Sequence, residues 1–275
     1  MTRLLAAAVT VFAISGPVLA SDLPTAKGPP VYDPPPALFT WSGAYAGVNV
    51  GYGWGLATGG LLPDYPNLFG LPTAVAGGYV PSTLGVTPRG VLGGGEIGYN
   101  YQIGPAVLGV ETDFQGSGIR NSNAIAFSGI GGFAPSNATA SDQVNWFGTA
   151  RVRAGYLPLN NVLVYGTGGL AYGNVQESTS LVGVPATSGS WSGAASATRI
   201  GWTVGAGVEW KLTNAISVKA EYLHIDLGSS TVRGLLTAGA FPGTFLDYRF
   251  HNVDDIARVG VNYSFDMMAP IVAKY

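Results

Sequence analysis

The 275-residue sequence contains no cysteine. That removes disulfides, thiolate metal sites and cysteine nucleophiles. Charge is also scarce: Lys, Arg, Asp and Glu make up 10% of the residues, against about 25% in an average soluble domain. The formal net charge is −2, so the basic footprint of a nucleic-acid binder is absent. Past the N-terminus no run reaches the roughly 20 apolar residues of a spanning helix. Yet the chain is 47% hydrophobic and holds 42 Gly, 14 Tyr and 6 Trp. A greasy, charge-poor chain without apolar helices points to the other structure that lipid permits, a closed β-barrel. In lipid every backbone donor and acceptor must be paired internally.

The first 20 residues, MTRLLAAAVTVFAISGPVLA, carry Arg3, an apolar run, a Gly16-Pro17 break and a small-residue end at Ala20. This is the pattern of a secretory signal peptide, with a mature start expected at Ser21. Residues 21–40 hold six prolines. Proline cannot donate to a ladder, so this stretch is expected to be an extended periplasmic tether.

From Trp41 onward the informative period is two. Eight alternating segments follow, and the sixth shows the pattern: Ile200, Trp202, Val204, Ala206, Val208 and Trp210 oppose Arg199, Thr203, Glu209 and Lys211. The fourth sets Val144, Trp146, Ala150, Val152, Ala154 and Tyr156 against Asn145, Thr149, Arg151 and Arg153. The fifth, from Val162, is apolar on both faces and its facing stays open. Short turns fall near residues 103–105, 157–161 and 212–215. Long loops fall near 55–90, 116–142, 174–197 and 228–251. Short periplasmic turns and long external loops mark outer-membrane barrels. The expected fold is therefore all-β, an antiparallel up-and-down eight-stranded transmembrane barrel over residues 41–265. Residues 266–275 are expected to form a short periplasmic tail, because Pro270 would interrupt a ninth strand.

Charge and aromatic placement separate this barrel from a secreted sandwich. Glu96, Glu111, Asp113, Arg151, Arg153, Arg199, Glu209, Lys211, Lys219, Glu221, Asp254 and Arg258 all fall on the polar parity. On the apolar parity, Asp142 and Asp255 appear only at loop ends. Tyr99, Tyr101, Tyr156, Trp210, Tyr263 and Phe265 lie on the apolar parity near the short turns. Tyr52, Trp54, Phe114 and Trp146 lie on it near the long loops. Two aromatic belts are what two membrane interfaces require.

One motif suggests other chemistry. Gly93, Gly95 and Gly98 form a Gly-x-Gly-x-x-Gly pattern. A dinucleotide loop needs a helix after the glycines. Here an alternating stretch follows and reaches Gly104-Pro105, so the glycines read as strand residues.

With these segments in view, the chain resembles the small eight-stranded outer-membrane proteins of alphaproteobacteria, the porin-family or surface-antigen barrels. The resemblance rests on PPVYDPPPALFTWSGAYAGVNVGYGWG, VYGTGGLAYG at 164–173, GWTVGAGVEWKLT at 201–213, VKAEYLHIDLG at 218–228 and ARVGVNYSF at 257–265. It implies a monomer-sized barrel in the outer membrane, contacting outer-membrane lipid and lipopolysaccharide and inserted by the barrel-assembly machinery. It also implies a role in envelope integrity, with host or peptidoglycan contacts. Some members look like hemin binders, which would give His224 or His251 a ligand role by resemblance alone.

An eight-stranded barrel has an interior that side chains just fill. The inward acids and bases are expected to neutralise one another there as a plug. A narrow pore for small solutes is the alternative, because inward Gly47, Gly51, Gly94, Gly98, Gly205 and Gly207 leave room. No enzyme is expected: nucleophilic hydrolysis needs a base beside a hydroxyl, and neither histidine has a serine two residues away on its own strand face. A set assembled across strands stays open. Carboxylates alternate with basic residues and show no calcium-loop spacing, so no metal or cofactor is expected. Three of the long loops have stretches with one charge, Asp64, or none and could make surface contacts.

Overall fold

Alternation becomes register in the computed structural model, which describes residues 39–64, 71–78, 80–127, 136–183, 189–238 and 243–265. The expected signal peptide, nearly all of the proline-rich tether and the C-terminal tail lie outside the described residues. Eight long strands run antiparallel: β1 (Gly43–Leu61), β3 (Arg89–Ile103), β4 (Ala106–Phe127), β5 (Ser136–Leu159), β6 (Val162–Gly183), β7 (Ser190–Lys211), β8 (Ile216–Ala238) and β9 (Phe245–Phe265). Each pairs with the next, and β1 also pairs with β9, from Ala44↔Phe265 to Leu61↔Tyr248. The ring is closed, so each long strand has a paired neighbour on both sides.

The first long connection carries two further elements. A short helix α1 spans Leu71–Ala76, and a four-residue ninth strand β2 (Thr83–Val86) pairs with the outer end of β1, Ala57↔Val86 to Gly60↔Thr83. This adds one strand to the expected eight without entering the ring.

The turns at the other end are tight. Ile103 pairs with Ala106 across Gly104-Pro105, and Gly104 has φ 59°. A glycine with positive φ in the first central position, followed by a residue fixed near −65°, is the type II′ hairpin turn. Leu159 pairs with Val162 across Asn160-Asn161 in the same two-residue manner.

The long loops expected from the sequence are mostly strand. β4 continues to Phe127 and β5 resumes at Ser136; β6 continues to Gly183 and β7 resumes at Ser190. A membrane strand needs about 9–11 residues, whereas β5 has 24. The alternation is lost to the eye there because Ala, Ser, Thr and Gly occupy both faces. The paired backbone nevertheless continues as an extension of the barrel beyond its apolar band.

Two irregularities change which residues face inward. Between Val144 and Trp146 the β5–β6 register shifts. Val144 and Asp142 are therefore buried inside, where strict alternation placed both on the outer face. In β8 the register shifts between Asp226 and Ser229, around Gly228 with φ 76°. A bulge adds one residue to one strand, and every side chain beyond it changes face.

Candidate functional site: layers inside the barrel and belts on its wall

Inward side chains of the strands meet in one charged layer. Glu96, Glu111, Asp113, Arg151, Arg153, Glu209, Lys219, Glu221 and Arg258 are each no more than 4% exposed. Lys211, as deeply buried, ends β7 at the short-turn end and donates instead to the Asn214 carbonyl at 3.1 Å and to Ser264 at 3.3 Å. Arg151 pairs with Glu111, with Asp113 at 3.1 Å and with Glu221 at 3.1 Å. Arg258 Nη2 reaches Glu221 at 2.5 Å and Asp113 at 2.8 Å. Lys219 pairs with Glu96 and lies 3.2 Å from Glu111. Arg153 Nη2 donates to Glu209 at 2.8 Å. Unpaired buried charge costs several kcal/mol, and mutual pairing offsets that cost.

Neutral side chains complete the layer. Tyr45 donates to Glu111 at 2.6 Å and accepts from Arg153 at 2.9 Å. Tyr165 donates to Glu221 at 3.1 Å, and the Arg153 guanidinium lies 4.0 Å above its ring. Asn49 donates to Glu96 at 2.9 Å, and Ser217 to Glu209 at 2.5 Å. Tyr165 lies in the fifth segment, whose facing the sequence left open, and the structure turns it inward.

The inward glycines lie against larger neighbours. A Cβ at Gly98 would collide with the Tyr45 ring, one at Gly207 with the Tyr165 hydroxyl, and one at Gly205 with Leu223. Gly47 faces the Asn262 amide, Gly51 lies against Arg258, and Gly94 against Gln115 and the β4 backbone. Their missing side chains are the space that larger neighbours occupy.

Apolar layers lie on both sides. Toward the short turns, Trp41 packs with Val107, Leu163 and Tyr165, and its indole donates to the Asn160 carbonyl at 3.1 Å. Lys211 Nζ sits 5.2 Å above the Trp41 ring. Toward the long-loop end, Leu92, Ile119, Val144, Phe147, Val175, Leu223, Ile225 and Ile256 form a second apolar layer with Ala171 and Leu227. Farther out, Val86, Leu181, Val232, Leu246, Tyr248 and Phe250 belong to a third.

A smaller polar layer accompanies the outer apolar ones. Asp142 accepts from Asn252 at 3.0 Å, and Ser230 donates to Glu177. Asp254 is buried, while Arg199 remains half-exposed, 4.0 Å from Glu177. Arg199 and Asp254 thus belong to this outer layer and not to the central network. Asp142 lies four residues beyond Trp146. Burial, reinforced by Asp254 and Glu177, pushes its carboxyl up to about 7.

The wall of the barrel is apolar and aromatic. Tyr52, Trp54, Tyr99, Tyr101, Phe114, Tyr156, Trp210, Tyr263 and Phe265 are 41–59% exposed. Trp146 is half-exposed and stacks on Phe114 with centroids 5.4 Å apart. Tyr172, Trp202 and Tyr222 join the belt at the long-loop end. Ten residues of β9 separate Phe265 from Asp255, the partner of Trp54. At about 3.3 Å per residue and a tilt near 40°, that is roughly 25 Å of height, the apolar band of an outer-membrane barrel.

Polar outward groups interrupt the wall at this belt. His224 Nδ1 lies 2.8 Å from Asp255, which accepts from Tyr222 at 2.6 Å. His251 sits beside Asp226 and Ser229. Strict parity puts Asp226 on the face of Tyr222, and sequence reading did not count it among the outward charges.

Residues 34–265 match the family described as the outer membrane protein beta-barrel domain. The chain belongs to this family. It is 36% identical over 265 residues to the 31 kDa outer-membrane immunogenic protein of Brucella melitensis, covering 95% of this chain and 98% of that protein. It is 37% identical over 138 residues to a 22 kDa outer membrane protein of Rhizobium leguminosarum, half of this chain and 53% of the relative. Among solved structures, the outer-membrane protein OprG of Pseudomonas aeruginosa is 11% identical with a TM-score of 0.42, covering 82% of this chain and 96% of that one. The protein is an outer-membrane β-barrel. In outer-membrane barrels the short turns are periplasmic and the long connections face outward.

Proposed function

We propose that this barrel is a structural, surface-exposed element of the outer membrane with a closed interior. The observation that carries the reading is the stack of side-chain layers. Water and ions crossing the barrel would meet Trp41 and Leu163, then a layer of ion-paired charges, then Phe147, Leu223 and Ile256. An apolar layer offers a hydrated ion no ligands, and the charge layer's groups are already taken by one another. The filled glycine positions remove the room that a narrow pore would use.

The surface part of the reading draws on the extension. Its strands carry Ser, Thr, Asn and Ala outward for many residues beyond the belts, as suits a wall standing in water. The Brucella relative is named for its immunogenicity, in keeping with an exposed outer end. Lipid and lipopolysaccharide then contact the apolar band, and envelope integrity follows from a rigid barrel with no leak.

Planar-bilayer recording of the purified, folded protein tests the closed interior. No reproducible step in current is expected. A stable open conductance of uniform size would overturn the reading in favour of a small-solute pore.

A further inference from the structure

The wall carries a constellation that the structural role does not use. In β8 the pairing with β9 jumps from Asp226↔Val253 to Ser229↔His251. Three residues of β8 thus span two of β9. The extra residue is absorbed at Gly228, whose φ of 76° suits glycine and few others. Without this bulge Ser229 would point inward. With it, Ser229 is exposed on the outer wall beside His251. Bulges re-aim side chains and are over-represented next to active sites.

The contacts made there form a line. Ser229 Oγ lies 3.1 Å from His251 Nδ1. His251 Nε2 lies 3.6 Å from Asp226 Oδ2. The other Asp226 oxygen accepts the Gly228 N–H at 2.7 Å, which fixes the carboxylate on the bulge itself. An imidazole thus stands between a hydroxyl on one nitrogen and a carboxylate on the other. Asp226 pairs with Trp202 of the outer belt, so the group sits at the outer membrane interface.

The β7–β8 seam beside it is open. No ladder pair joins these strands between Trp202↔Asp226 and Ser192↔Leu235. Arg199 of β7 donates to the Ser229 carbonyl at 2.8 Å, so that carbonyl faces the seam. In a strand, the N–H and C=O of one residue point to the same side. The Ser229 N–H therefore also faces a stretch where β7 offers it no ladder partner. A backbone N–H beside a nucleophile is the donor that a developing oxyanion needs. Ala194 and Ile200 of β7 are exposed on the outer wall along this stretch.

We propose that Ser229, His251 and Asp226 form an interfacial ester-hydrolysing site whose substrate is the carboxylic acyl ester of an amphiphile in the outer leaflet. Ser229 Oγ attacks the ester carbonyl carbon and its proton passes to His251. Asp226 holds the imidazolium. The carbon–oxygen bond to the alcohol breaks, and the alcohol leaves with the His251 proton. Water then attacks the acyl-serine, His251 takes one of its protons, and the free carboxylic acid and Ser229 hydroxyl are released. The reaction consumes one ester and one water and leaves the protein unchanged. This site lies on the wall and is independent of whether the interior conducts.

The test uses the full chain folded in detergent, with heat-modifiable gel migration confirming that every variant is folded. A fluorophosphonate probe labels activated serines, and p-nitrophenyl octanoate reports ester turnover. Labelling of the wild type is expected, with loss of the label in Ser229→Ala. Turnover should fall at least about 100-fold in Ser229→Ala and His251→Gln. His224→Gln, which alters the neighbouring histidine pair, should keep both. An unlabelled wild type, or turnover equal in wild type and Ser229→Ala, would overturn the proposal. Fatty-acid release from glycerophospholipid vesicles or from vesicles containing lipopolysaccharide then assigns the source of the ester. Release from neither would also overturn it.

Discussion

Glu221 and Arg258 face each other across the β8–β9 ladder, and their side chains meet at 2.5 Å inside the barrel. The register alone brings them together. Arg258 also holds Asp113, and Glu221 also holds Arg151. Removing one member leaves several buried partners short of charge. Arg258→Ala is expected to cost about 3–5 kcal/mol of folding stability, read as a lower urea midpoint for the folded gel band in detergent micelles. The double change Glu221→Gln with Arg258→Met removes both charges and should cost clearly less. Equal losses in the single and double variants would refute the pairing argument.

The aromatic cradles make a second claim. Gly98 lies under Tyr45 and Gly207 under Tyr165, and both tyrosines donate to carboxylates of the charged layer. A side chain at either glycine would push a tyrosine off its carboxylate. Gly98→Val and Gly207→Val should each destabilise by about 1–3 kcal/mol through overpacking. Val at Gly85, where an added Cβ meets nothing within 4 Å, should be near neutral. A neutral Gly98→Val would show that the lumen has spare room after all.

What the sequence made legible follows from the period of two. Where bulky apolar residues alternate with charge, as in Ile200–Lys211, facing and strand identity follow from parity, because a one-residue slip would expose every apolar side chain to the wrong medium. Parity fails where its premise does. The bulge at Asn145 turned Asp142 and Val144 inward, and no residue type announces a bulge there. The bulge at Gly228 gave a better hint, a glycine between Leu227 and Ser229, yet its consequence for Ser229 needs the partner strand. The outer extension was read as loops because Ala, Ser and Thr on both faces carry no periodic signal. The charged layer was accessible as a set of residues. Its pairing was not, since contacts such as Arg153 with Glu209 join strands distant in the chain.

The apolar layer gives a stability prediction that separates packing from charge. Phe147 and Leu223 are 2% and 0% exposed and belong to the same cluster. Leu223→Ala should cost about 2–5 kcal/mol and Phe147→Ala about 3–5 kcal/mol. Neither loss should depend on salt, whereas exposed ion pairs weaken as salt screens them. Unfolding in urea at low and high ionic strength makes the comparison. A salt-dependent loss for Leu223→Ala would mean that the layer acts through the neighbouring charges.

The outer polar layer should make stability depend on pH. Asp142 faces Glu177 and Asp254 with half-exposed Arg199 nearby, and Asn252 donates to it. Its folded carboxyl titrates at about 7, while an unfolded aspartate titrates near 3.9. Between those values the folded chain holds a proton that the unfolded chain has released. Stability therefore falls as pH rises through that window. The extension should resist protease better at pH 5 than at pH 8. Asp142→Asn keeps an acceptor for Asn252 and removes the charge, so it should raise resistance at pH 8 and flatten the difference. Protease digestion of intact vesicles at the two pH values, followed by the appearance of cut outer strands, measures this. An unchanged pH slope in Asp142→Asn would assign the dependence to another group.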